Sequence, residues 1–325
     1  VTAAATLAAG PSRLDGEPRM RERPIDDLVH ALTALGADIT IEGRGGCPPL
    51  RIGGGGLAGG SAVIDGSRSS QYVSGVLLAA PYAARDVTLR LKDGLLVSRP
   101  YVEMTLQVMS AFGAEAGWRG DDVLHVATRP YAARDYSVEP DASSAAYPFA
   151  AAAIAGGRVR VAGLSAQSAQ ADVRFLDALE AMGCRVERGA SHCEVRGPDG
   201  PLRAIDVDAN DFPDAAMALA VVALFADGPS RIRNVGNLRI KETDRLAALE
   251  TELRKLGADA RAGADELRVT PAPAYRGAAI DTYEDHRMAM ALALAGLRIP
   301  GVRIRDPECV RKTWPDYFRA LERLS

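Results

Sequence analysis

The chain of 325 residues is 47% hydrophobic and 25% charged, with a formal net charge of −3 and four cysteines. Such a length supports two domains with cores of their own. The near-balanced charge excludes a generic nucleic-acid coat, so basic residues must act locally, and no run approaches the ~18 apolar residues of a membrane span. Cys47, Cys184, Cys193 and Cys309 follow no CxxC or other ligand spacing, and the His residues are scattered. Neither a metal centre nor a disulfide framework is expected, and the thiols suit a reducing cytoplasm.

In chain order, residues 1–10 read as the end of a helix whose opening is absent. It has no capping residue and no initiator Met, which predicts an amino-terminally truncated chain. Arg23-Pro24 opens the next helix, which stops at Gly36. The glycines of residues 53–60 mark a turn between strands. Ser69-Ser70-Gln71 then opens a helix that leads to the alternating run Val87–Leu91. Ser98, Arg99 and Tyr101 open the helix ending at Gly113.

Glu139-Pro140-Asp141 breaks local structure, which places a domain boundary there: an incomplete amino-terminal lobe over 1–138 and a carboxy-terminal lobe over 139–325. Beyond it, Asp141-Ala-Ser143-Ser144 reads as a cap with hinge packing, followed by a strand at Arg158–Val161 and a helix ending at Gly183. Pro213-Asp214 opens the next helix, with a strand at Arg231–Arg233. Lys241-Glu242-Thr243-Asp244-Arg245 precedes an amphipathic helix carrying Leu246, Leu249, Leu253 and Leu256 and stopping at Gly257. The last openings are Glu284-Asp285-His286-Arg287, before the strand Val302–Arg305, and Arg311-Lys312-Thr313-Trp314-Pro315.

These elements recur. The positions one and four before each helix-ending glycine are apolar every time: Leu35 and Leu32, Phe112 and Met109, Met182 and Leu179, Leu256 and Leu253. The glycines lie 77, 70 and 74 residues apart, and the second helix series keeps nearly the same period. The pattern predicts an α/β fold of tandem β-α-β-α-β-β units, the first of them missing.

The helix openings carry the chemistry. The macrodipole and free N–H groups of a helix start favour anions, and Lys241 and Arg245 share one face if the first turn is already formed. Arg and Lys at several such starts suit a substrate with several anionic groups. Asp214 and Glu242, interleaved with them, suit proton transfer, because a cationic setting keeps a carboxylate ionised.

Eight motifs carry a resemblance: Gly16-Glu-Pro-Arg-Met-Arg-Glu-Arg-Pro24, Ser69-Ser-Gln71, Leu96-Val-Ser-Arg-Pro-Tyr101, Asp141-Ala-Ser-Ser144, Pro213-Asp-Ala-Ala-Met217, Asn237-Leu-Arg-Ile-Lys-Glu-Thr-Asp-Arg245, Asp285-His-Arg-Met-Ala-Met290 and Lys312-Thr-Trp-Pro315. They stand in order along the whole chain, which resembles the EPSP synthase (3-phosphoshikimate 1-carboxyvinyltransferase) family of enolpyruvyl transferases. The resemblance implies six β-α-β-α-β-β units in two lobes, an inside-out α/β barrel closing over its substrates. It implies addition of the 5-hydroxyl of shikimate 3-phosphate to C2 of phosphoenolpyruvate, protonation at C3 and departure of phosphate. It implies that no metal or organic cofactor takes part.

By matching positions, Ser69, Ser70, Gln71, Ser98, Tyr101, Asp214, Asn237 and Lys241 are expected to hold shikimate 3-phosphate. Arg23, Gln71, Arg245, Arg287 and Lys312 are expected to hold phosphoenolpyruvate. Asp214 and Glu242 are the expected proton-transfer groups, with Lys312 assisting. The resemblance also implies a cytoplasmic enzyme, monomeric when full length, with neither nucleic-acid nor membrane partners. Arg99 stands where many members have Lys, and Leu238 replaces a common aromatic. The family's Lys-Ser motif and Asn-Ala-Gly-Thr loop are not found in this chain, which is therefore expected to be nearly inactive alone. That leaves a fragment that only binds anions, or complements another chain, as the alternative. The sister transferase acting on UDP-N-acetylglucosamine shares the fold but not this set of motifs.

Overall fold

Gly36, Gly113, Gly183 and Gly257 adopt φ of 96°, 81°, 103° and 109°, and each closes a helix. A side chain in that left-handed region is strained, so glycine ends the helix and releases the chain into the next strand. In the computed structural model, which describes residues 1–324, such turns punctuate two compact units: one spans Val1–Ser137, and the other begins at Val138.

The first unit contains α1 (Thr2–Ala5), β1 (Ser12–Leu14), α2 (Asp26–Ala34), β2 (Ile39–Ile41), β3 (Leu50–Ile52) and β4 (Gly60–Gly66). It continues with α3 (Ser70–Ala79), β5 (Val87–Leu96), α4 (Arg99–Ala111), β6 (Ala116–Trp118) and β7 (Val123–Val126). One antiparallel sheet has the order β1-β3-β2 and a second the order β4-β5-β7-β6, in which only β4 and β5 run parallel. Along β5, Val87, Leu89 and Leu91 face inward while Arg90 is exposed, the period-two pattern of a strand with one covered face. Leu32 and Leu35 at the end of α2, Val73, Val76 and Leu77 of α3, and Val102 and Met109 of α4 complete that core.

Two local expectations change here. The glycine-rich stretch between β3 and β4 is no loose turn: the N–H groups of Gly55 and Gly56 donate to the carbonyls of Ala8 and Thr6, both at 2.8 Å. A Cβ at Gly54 would stand 2.6 Å from two carbonyl oxygens, so the close approach needs glycine. The first helix, in turn, covers only Thr2–Ala5, and turns follow it to Gly10.

The second unit contains α5 (Ala142–Ala155), β8 (Arg158–Ala162), α6 (Phe175–Ala181), β9 (Arg185–Arg188), β10 (His192–Arg196), β11 (Asp206–Asp208), α7 (Ala216–Val222) and β12 (Ser230–Arg233). It ends with α8 (Arg245–Leu256), β13 (Asp259–Ala262), β14 (Glu266–Thr270), β15 (Ala279–Ile280), α9 (His286–Ala293), β16 (Arg303–Ile304) and α10 (Tyr317–Glu322). Its sheets have the orders β8-β10-β9, β11-β12-β14-β13 and β15-β16. The β11-β12-β14-β13 sheet repeats the order and strand sense of the four-stranded sheet of the first unit, a parallel pair followed by two antiparallel ones.

All seven residues of α7 are buried, and α7 packs against α5, α8 and α9. A helix apolar on every side belongs inside. Here its alanines admit close neighbours, which lets the amino-terminal ends of α8 and α9 meet the turn that carries Asp214.

Candidate active site

Arg245 is the first residue of α8 and the largest fully buried side chain, 1% exposed. A buried guanidinium needs carboxylates around it, because desolvation of an unpaired charge costs several kcal/mol. Three are supplied. Nε donates to Asp285 Oδ2 at 2.7 Å, Nη1 to Asp214 Oδ1 at 3.0 Å, and Nη2 to Glu242 Oε2 at 3.0 Å and Asp285 Oδ1 at 3.2 Å. Asp285, fully buried, is also the N-cap of α9 and accepts the Arg287 backbone N–H at 2.9 Å.

Further cations close the network. Arg287 Nη2 lies 3.0 Å from Asp214 Oδ2, and the exposed Lys312 ammonium donates to Glu242 Oε1. Lys241 also acts on Asp214. Burial alone would push both carboxylates up. For Asp214 the charges of Arg287, Arg245 and Lys241 reverse that and hold it well below the usual carboxylate range. For Glu242, Arg245 and the hydrogen-bonded Lys312 do the same and hold it at about 2. Both are ionised at neutral pH, beside cations that an arriving anion can draw away.

The backbone settles whether Lys241 and Arg245 share one face: the first turn that this required is not formed. Asp244 is the N-cap of α8 and accepts the Ala247 N–H at 3.1 Å, so the helix starts only at Arg245. Lys241 follows a short 3-10 turn, Gly236–Ile240, in extended conformation. That turn carries Asn237. Asp214 likewise lies outside its helix: α7 begins at Ala216, and the Asp214 side chain is spent on Arg245 and Arg287 rather than on a cap.

In the first unit the expected residues gather at helix openings. Ser69 caps α3, accepting the Gln71 N–H at 3.3 Å, with Ser70 buried behind it. Arg23 ends a 3-10 turn and acts on Tyr72, whose hydroxyl donates to the Pro24 carbonyl. Ser98, 2% exposed, has φ 50° and ψ 48° at the opening of α4, a strained conformation for a residue with a side chain. Tyr101 follows one turn later, and its carbonyl accepts from Thr105 Oγ1, which meets Ser74 Oγ of α3 at 2.8 Å. Arg99 points elsewhere: its guanidinium stacks 3.8 Å above Trp118 and pairs with Glu103 at 3.3 Å.

The expected residues thus form two groups. Arg23, Ser69, Ser70, Gln71, Ser98 and Tyr101 belong to one unit, and Asp214, Asn237, Lys241, Glu242, Arg245, Arg287 and Lys312 to the other. Among the described residues, no group of three or more His, Cys, Asp or Glu is placed to hold a metal ion, and no helix is long and apolar enough to cross a membrane.

The family model described as EPSP synthase (3-phosphoshikimate 1-carboxyvinyltransferase) matches residues 1–321. The chain belongs to the EPSP synthase family. The 3-phosphoshikimate 1-carboxyvinyltransferase of Photobacterium profundum is 50% identical, the match covering 100% of this chain and 76% of that relative. The enzyme of the same name from Nostoc sp. (strain PCC 7120) is 48% identical over 98% of this chain and 74% of its own. Among solved structures, EPSP synthase from Acinetobacter baumannii superposes with a TM-score of 0.78 at 24% identity, covering 100% of this chain and 76% of that one. The enolpyruvyl transferase NikO from Streptomyces tendae superposes with a TM-score of 0.78 at 22% identity, over 99% and 74%. Likenesses at that identity speak for the shared mixed α/β fold.

Within this EPSP synthase family member, two buried groups beside the ion network carry little local sequence signal. Asp285 was visible only as part of a charged helix opening; its bidentate grip on Arg245 spans 40 positions, beyond any local pattern. Tyr147, 0% exposed on α5, sits in an alanine-rich run that reads as plain core.

Proposed function

We propose that this protein transfers the enolpyruvyl group of phosphoenolpyruvate to the 5-hydroxyl of shikimate 3-phosphate, giving EPSP and phosphate. Membership of the EPSP synthase family supports the reaction, and the observation that carries the residue assignment is the network around Arg245. Two largely buried carboxylates stand ionised there, each held by a cation that a substrate can recruit. Asp214 accepts the proton of the attacking hydroxyl as oxygen bonds to C2 of phosphoenolpyruvate. The Lys312–Glu242 pair, which holds a proton on the ammonium, delivers one proton to C3 on addition and takes one back from C3 as phosphate leaves, while the hydroxyl proton on Asp214 departs with the phosphate, so the enol ether forms with atoms balanced.

A carboxylate as acidic as these is a weak base in the substrate-free state. Phosphoenolpyruvate corrects that. As its phosphate and carboxylate draw Arg287 and Lys312 toward themselves, Asp214 and Glu242 lose cationic neighbours while staying desolvated, so their proton affinity rises when it is needed. Arg245 stays behind as the fixed charge that keeps the carboxylates aimed. In the first unit, Ser69, Ser70, Gln71, Ser98 and Tyr101 supply hydroxyl, amide and helix-opening N–H donors suited to a phosphorylated polyol, and Arg23 a cation for phosphoenolpyruvate.

A phosphate-release assay on the full gene product with both substrates tests the reading. Phosphate and EPSP should form in equal amounts; release that requires UDP-N-acetylglucosamine in place of shikimate 3-phosphate would overturn it.

A further inference from the structure

Tyr147 lies wholly inside the second unit, its ring edge-on to Tyr317 at 5.7 Å, yet its hydroxyl meets no partner at hydrogen-bonding geometry. The neighbouring Tyr317 hydroxyl shows the ordinary solution, donating to the Met290 carbonyl at 2.7 Å. An unsatisfied buried hydroxyl costs ~1–3 kcal/mol, and a phenylalanine would fill the same space without that cost. Arg287 acts on the hydroxyl first, by its charge and by a side-chain hydrogen-bonding contact that falls short of full geometry, followed by Arg245 and Asp214, all members of the ion network. Asp172, which accepts from Ser143 Oγ at 2.8 Å, also acts on Arg287 by its charge.

Arg287 has a conflict to resolve during turnover. Its Nη2 is bound to Asp214 Oδ2 at 3.0 Å in the absence of substrate, but the two must part if Asp214 turns to the hydroxyl and Arg287 to an anion. A guanidinium has five N–H donors and no acceptor, so a buried one that gives up a carboxylate needs another oxygen. We infer that Tyr147 is a positioning residue for Arg287, its loose contact with the guanidinium becoming a full hydrogen bond when Arg287 leaves Asp214 for phosphoenolpyruvate. Burial pushes the phenol up to about 12, so it remains neutral and able to accept without adding charge. This role rests on the reaction proposed above.

The experiment is Tyr147→Phe in the full gene product, with wild type alongside, measuring thermal melting and steady-state kinetics in each substrate. The variant should melt at the same temperature as wild type or higher, since only a hydroxyl without a well-formed hydrogen bond is lost. Its KM for phosphoenolpyruvate should rise about tenfold, the effect of one hydrogen bond to a charged group, with KM for shikimate 3-phosphate within about twofold. In an Arg287→Lys background the same change should add little, because the hydroxyl acts through the guanidinium. Unchanged kinetics in an active wild-type background would overturn the role, as would a fall in melting temperature that accompanies the kinetic loss. An inactive wild type would instead refute the proposed reaction, so the two failures are distinct.

Discussion

Removing Arg245 would leave Asp285 fully buried with no guanidinium against it, and would free Asp214 and Glu242 from their common neighbour. Breaking a buried ion pair from one side costs about 3–5 kcal/mol. Arg245→Ala is therefore expected to lower the melting temperature sharply, with Arg245→Lys between it and wild type because lysine restores charge without the fork. An alanine variant that melted normally and lost only phosphoenolpyruvate affinity would return Arg245 to the role of a direct substrate clamp, which the family resemblance implies. Asp214 and Glu242 call for the opposite pattern. Each keeps about a fifth to a quarter of its side chain exposed (24% and 22%), and Arg245 keeps Asp285, so truncation should cost less folding stability than loss of Arg245 and fall mainly on chemistry. Asp214→Ala and Glu242→Gln should each reduce kcat by about a hundredfold or more with KM changed less, the scale for a positioned acid or base. Loss confined to KM would reduce both to binding groups.

At the scale of elements, the opening of α9 sets a pH limit. His286 is 3% exposed and its Nδ1 stands 3.7 Å from Asp285 Oδ1, too far for a hydrogen bond. Burial lowers its pKa from 6.5 to about 4; Asp285 opposes this, while Arg287, Lys312 and Arg245 add to it. Above pH 6.5 the ring is neutral in both folded and unfolded chains. Between 6.5 and 4 the unfolded chain takes up a proton that the folded one refuses, so stability falls as the solution is acidified through that window. Glu242 behaves separately, losing its contribution only from 4.5 down toward 2. Melting curves from pH 7 to 4 should show the decline, and His286→Gln should flatten it; an equal slope in the variant would assign the decline to other groups. The elements that create this setting were legible to different degrees. Helix ends at Gly36, Gly113, Gly183 and Gly257 could be read because a single residue type serves a left-handed terminus, and β5 because Val87, Leu89 and Leu91 alternate with polar neighbours. The start of α8 agrees with a helix set directly after the charged run, but only the folded backbone decides that no turn forms ahead of it, because Asp244 serves as the cap.

The same division between local and distant signals holds for the whole molecule. Motifs at helix openings located nearly every member of the Arg245 network, but the burial of Arg245 depends on Asp214, 31 positions earlier, and Asp285, 40 later, and Tyr147 announces itself only by what it lacks in three dimensions. Each unit, by contrast, has a core that uses none of the other's residues. One is built on Leu32, Val76, Leu89 and Met109, the other on Tyr147, Phe175, Leu219, Leu253 and Met290. The chain between them is exposed throughout residues 132–138 and has no regular secondary structure there. Arg134 is its one tryptic residue, and its side chain contacts the backbone carbonyls of Asp135 and Ala111. Proteases cut where backbone can leave the fold without opening a core. Brief trypsin treatment of the native protein should therefore cut first after Arg134, and mass spectrometry should find two fragments that resist further digestion much longer than the parent chain. A first cut within either core, or rapid loss of one fragment as soon as the other is released, would show that the two cores do not hold independently.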